Sequence, residues 1–178
     1  MKNEIIKFWF TDIERKQWWE KSDSFDQLLI AKYRDTHSKA IQCELYQWRE
    51  SAKGRLAEII VLDQFSRNMH RDTGKAFASD ALALILAQEA ISVGADNTLN
   101  ETEKSFLYMP FMHSESLVIH EQGLKLFQAG TSESSINFEI RHMKIIEEFG
   151  RYPHRNKILG RVSTKEEIEF LEKPGSSF

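Results

Sequence analysis

A chain of 178 residues with 29% charged and 41% hydrophobic side chains fits one domain, at most two small ones, and can bury roughly two-thirds of its unfolded surface without a disulfide. Its formal net charge of -3 excludes a global attraction to nucleic acid or acidic membranes, and its single Cys43 excludes an intrachain disulfide or a thiolate-rich zinc cluster. Only 8 Gly and 3 Pro provide for tight turns, which favours helices over short strands.

The apolar patch Ile5, Ile6, Phe8, Trp9 and Phe10 is interrupted by Lys7 and ended by Asp12. It is shorter than a signal-peptide core, and no apolar run approaches the ~20 residues of a membrane span. The expectation is a cytoplasmic protein with neither membrane nor nucleic acid as partner. Trp9, Trp18 and Trp19 read as aromatics covering one end of a core. Ser24 and Gln27 have capping-box spacing and predict a helix over 25–36, with Phe25, Leu28, Leu29 and Lys32 at helical intervals. A second piece over 39–48 aligns Ile41, Leu45 and Trp48, with Cys43 as a small apolar helix residue.

From Ala52, Leu56, Ile59, Ile60 and Asp63 share a helical face, and the flanking helix formers outweigh the strand-like look of 59–62. Asp63 thus falls on an apolar face one turn before Arg67, where a carboxylate needs a partner. Residues 68–74 are turn-like, and Thr73 predicts the cap of a helix from Ala76 that ends at Gly94. Thr98 with Glu101 opens a short helix that Pro110 closes. Beyond it His113, Leu117, His120, Leu124 and Phe127 alternate by fours and threes, placing two histidines on the apolar stripe of one helix that ends at Gly130. Ser134 or Ser135 starts another, with Phe138, His142, Ile145 and Phe149 on one face, and Ser163 with Glu166 opens a last short helix. These elements predict an all-α domain of antiparallel helical hairpins over 1–173, followed by a frayed tail over 174–178.

The densest chemistry lies at Gly150-Arg151-Tyr152-Pro153-His154-Arg155-Asn156. No acidic residue occurs over 149–165, so Arg151, Arg155, Lys157 and Arg161 find no local counter-charge. One candidate is therefore a small-anion site from Arg151, Arg155, Arg161 and Asn156, joined by Arg67 and Arg71, since guanidinium forks grip carboxylate or phosphate. The opposing reading is an internal network with Asp63 and Glu115 as counter-ions. A second candidate is acid/base chemistry by His113 or His154 with Glu115. A metal site is not expected, because seven residues separate His113 from His120, about 10.5 Å of helical rise. No cofactor motif is present either.

Three ordered motifs carry a resemblance over most of the chain. They are Leu62-Asp63-Gln64-Phe65-Ser66-Arg67-Asn68 with Arg71 and Ala76-Phe77-Ala78-Ser79-Asp80; Pro110-Phe111-Met112-His113-Ser114-Glu115; and His142 with Phe149-Gly150-Arg151-Tyr152-Pro153-His154-Arg155-Asn156, Leu159-Gly160-Arg161 and Ser163-Thr164-Lys165-Glu166-Glu167. The sequence resembles the bacterial domain-of-unknown-function family nine-two-four, which implies an all-helical, tetratricopeptide-repeat-like fold and a cluster of polar residues, but no activity. Ser66 stands where that family usually has Pro, and His120 where Gln is usual. Two readings result. The first is a site for a small anionic ligand built by Asp63, Arg67, His113, Glu115, Arg151, His154, Arg155, Asn156 and Arg161. The second is a helical scaffold for a protein partner, with those residues locking helices together.

Overall fold

Every regular element in the computed structural model, which describes residues 1–176, is helical. Helix α1 (Lys2–Lys7) runs into a π-helical turn, Phe8–Asp12, that buries Phe8 and Trp9. The Trp18 ring stacks 6.5 Å from Trp9, whereas Trp19 stays largely exposed. Ser22, two residues before the expected cap, accepts from the Phe25 amide and starts α2 (Asp23–Ile41). This helix runs through the expected break after residue 36, because Thr36, His37 and Ala40 continue the buried face of Phe25, Leu29 and Tyr33. Cys43 is not the apolar helix residue expected of it. It is exposed in the loop after α2 with φ 60°.

Helix α3 (Ala52–Ile60) continues without a break through a π-helical segment, Val61–Phe65, into α4 (Ser66–Met69). Leu56, Ala57, Ile59, Ile60, Val61, Leu62 and Phe65 are all buried, which makes this continuous helix the axis of the core. Helices α1, α5 (Asp80–Ser92) and α6 (Glu101–Met112) pack on α3, while α2 packs on α4 and the π segment. Asn100 and Glu103 form the capping box of α6, displaced two residues from the expected pair. Pro110 lies inside α6 rather than ending it. Only two residues follow it in the helix, so one amide bond is forgone while Met109, Phe111 and Met112 remain buried.

Ser114 to Ser116 separate α6 from α7 (Leu117–Gly130), so His113 caps one helix and His120 belongs to the next. The apparent stripe of two histidines was a run across two elements. Short connections then fold α7 on α6 and α8 (Glu133–Phe149) on α7. Gly150, in the left-handed conformation at φ 68°, stops α8. A 3-10 turn, Pro153–Arg155, leads towards α9 (Lys165–Leu171), whose capping box is Thr164 and Glu167. Ile145, Ile146 and Tyr152 make a second, smaller apolar cluster with Phe149 and Phe170 against it. Ser176 donates its hydroxyl to Leu171 O at 3.1 Å, and residues 177 and 178 of the expected tail lie outside the described residues. Among the described residues no helix is long and apolar enough to cross a membrane.

Candidate functional site

The π-helical segment places Asp63 inward at the junction of α3 and α4, and such a bulge is a frequent device for aiming a side chain at a site. The Asp63 carboxylate is 1% exposed. Its Oδ1 accepts from His113 Nδ1 at 2.7 Å and forms an ion pair with Arg67 Nη1 at 2.8 Å, and its Oδ2 accepts from Gln64 Nε2 at 2.6 Å. Burial alone would raise its pKa, but the Arg67 guanidinium and His113 outweigh burial and hold the group well below the usual carboxylate range.

An ionised carboxylate only accepts, so His113 must carry its proton on Nδ1. Burial and the Arg67 charge lower the His113 pKa against the opposing pull of Asp63, which keeps the ring neutral. Its Nε2 is left as an acceptor that bonds to nothing among the described residues, on a side chain 16% exposed. A carboxylate that fixes the tautomer of an imidazole in this way presents a proton acceptor.

Arg67 contacts this pair, and a second guanidinium, Arg155, shares the Asp80 carboxylate with it. Arg67 grips Asp80, at the start of α5, through two bonds of 2.8 and 3.1 Å. Arg155 reaches Asp80 Oδ2 with one bond of 3.2 Å, lies 4.5 Å over the Phe77 ring and 4.6 Å over the Tyr152 ring, and has a buried Nε without an acceptor. Burial and the neighbouring Arg67 charge lower the Arg155 pKa, so this cation is under-compensated. His154 sits beside them with its ring 5.5 Å from Tyr152, pushed down to about 4 by burial and then by Arg155. His142, on α8, donates to Phe138 O at 2.8 Å and is pushed down to about 3 by burial.

The remaining residues of the expected site are engaged elsewhere. Glu115 accepts from the Tyr152 amide at 2.7 Å and from Arg161 at 2.6 and 2.9 Å, so it is not the partner of His113. Arg151 is held by Glu167 at 2.6 and 2.8 Å, and Asn156 donates to Ser163 Oγ and to Glu167 Oε2. Arg71 pairs with Asp26 at 2.6 and 2.8 Å. The expected surplus of positive charge is therefore absent for Arg71, Arg151 and Arg161. Glu167 ties Arg151 and Asn156 to α9, Glu115 holds Arg161 and the Tyr152 amide to the connection between α6 and α7, and Asp26 joins Arg71 to α2. His120 is also committed, to Glu139 Oε1 at 2.8 Å and to Ser114 O at 2.9 Å, with Tyr152 Oη at 3.2 Å.

What converges is a smaller set: Asp63, Arg67, His113, His154 and Arg155, with Asp80, Phe77 and Tyr152 that the reading of single residues did not single out. Asp80 closes the Ala76-Phe77-Ala78-Ser79-Asp80 motif, but Asp72 lies nearer to Arg67 in the sequence, so spacing alone did not select it. Two surface grooves lie away from this cluster. One of about 430 Å³ is lined by Ile91, Phe111 and Leu126 with Gln88, Gln122 and Lys125, and another of about 220 Å³ runs along α2 at Ile30, Arg34 and Asp35.

A solved structure titled as a protein of unknown function, ATU0120 from Agrobacterium tumefaciens, is 37% identical, with a TM-score of 0.92 over 96% of each chain. No curated protein matches. The family model described as bacterial protein of unknown function (DUF924) matches residues 5–175, nearly the whole chain, and the protein belongs to that family.

Proposed function

We propose that the chain binds a small anionic molecule at the cluster of Arg155, Arg67 and His113. The observation that carries this reading is Arg155, a nearly buried cation with a single 3.2 Å bond to a carboxylate that Arg67 already grips with two. A guanidinium has five N–H donors, and burying them unmet is costly unless a ligand supplies the acceptors. The rings of Phe77 and Tyr152 hold its plane in place for such a ligand. Glu115, Arg151, Asn156 and Arg161, expected in the site, serve in this reading as the supporting frame around Tyr152 and Pro153. A thermal-shift screen with phosphorylated and carboxylated metabolites tests it, because a ligand of the native state alone raises the melting temperature. A screen in which no anion stabilises the protein defeats the reading.

A second reading, a scaffold that takes a protein partner, is favoured by the groove of about 430 Å³ between α5 and α7, with Ile91, Phe111 and Leu126 in its lining. Substituting Leu126 by Asp separates the two. It abolishes partner capture in this reading and leaves anion stabilisation intact in the first.

A further inference from the structure

The site's remaining acceptor indicates which anions it takes, an inference that rests on the anion-binding reading above. His113 donates from Nδ1 to an Asp63 oxygen that Arg67 also contacts, so the carboxylate is already neutralised and the imidazole has no charge left to answer. Its Nε2 consequently remains a lone pair, with no hydrogen-bond donor on it among the described residues. A fully deprotonated oxyanion also offers only lone pairs, and the two repel. An oxyanion that carries a hydroxyl gives Nε2 a donor while its charged oxygens meet the guanidiniums. We infer that the site selects an oxyanion bearing its own hydroxyl, and that His113 is the specificity-determining residue that accepts this hydroxyl's hydrogen bond.

Two kinds of ligand share this chemistry, hydrogen phosphate and a 2-hydroxycarboxylate. Each has a close mimic lacking the hydroxyl: sulfate near neutral pH for the first, propionate against lactate for the second. A site that hydrogen-bonds a ligand hydroxyl rejects the analogue without it far more strongly than an apolar pocket does.

The test is isothermal titration of the full chain with phosphate, sulfate, lactate and propionate near neutral pH, repeated on His113→Ala. The expected result is phosphate binding roughly tenfold or more tightly than sulfate, or lactate exceeding propionate by a similar factor, with the preference lost in the variant. The pair that discriminates identifies the ligand kind. Equal binding within both pairs, or a preference that survives in a His113→Ala protein with a native melting transition, overturns the inference and leaves the anion reading standing. If none of the four binds while another anion stabilises the protein in the thermal-shift screen, the inference alone falls; if no anion does, both fall.

Discussion

Asp63 and His113, 50 residues apart in sequence, meet across 2.7 Å with Arg67 on the same carboxylate oxygen. A π-helical segment supplies the acid and the end of α6 supplies the base, so the contact depends on two helices being packed to a fraction of an ångström. It links the main core to the arginine cluster at the start of α5.

Removing Arg67 tests the weight of that link. Arg67→Ala leaves a fully buried carboxylate at Asp63 with only His113 and Gln64, and should cost about 3 to 5 kcal/mol in denaturant melts. A loss below about 1 kcal/mol would mean that solvent reaches Asp63.

Arg155 should behave in the opposite way, although it is the more buried of the two side chains. Asp80 keeps both bonds from Arg67 when Arg155 is replaced, so no carboxylate is orphaned. Arg155→Met fills much of the volume and removes an Nε that has no acceptor, so stability should stay within about 1 kcal/mol of the parent. Denaturant midpoints at equal m-values decide it.

Acid should unfold the protein through its histidines before its carboxylates. His37 and His154 are pushed down to about 4 and His142 to about 3, in each case first by burial. Their unfolded value is about 6.5. Below it the unfolded chain takes up protons that the folded chain refuses, so stability falls as pH falls from 6.5 towards 4. Three such groups give a slope of up to about 4 kcal/mol per pH unit in the steep part of that window. Urea midpoints measured along the pH scale give the slope directly, and a flat profile down to pH 5 would contradict the burial of these rings.

Glu167 contributes a separate, lower window. Arg151 holds its carboxylate down at about 2, so its contribution is present above the ordinary glutamate value and is lost as pH falls through about 2. Glu167→Gln loosens the loop it pins, from Arg151 to Thr164, and should raise amide exchange there while leaving α3 protected.

Much of this architecture was legible in the sequence, because apolar spacing and capping side chains are local signals. Caps slipped by two residues at Ser22 and Asn100 where several Ser, Thr, Asn and Asp side chains competed for the same role. Pro110 was misread because burial of Met109 and Phe111 overrides one lost amide bond. Asp63 and Arg67 were recognisable as a pair from their one-turn spacing. The partners His113 with Asp63, Arg155 with Asp80 and Arg161 with Glu115 were not, since each joins residues tens of positions apart and nothing in one chain's composition ranks one carboxylate above another.

The most direct test of the anion site is a double comparison of denaturant melts: parent and Arg155→Met, each with and without saturating phosphate. The account predicts that phosphate stabilises the parent and that the gain is mostly lost in the variant, whose stability without anion is near that of the parent. A large loss of stability in Arg155→Met with an unchanged phosphate response would contradict it and leave Arg155 as a structural cation.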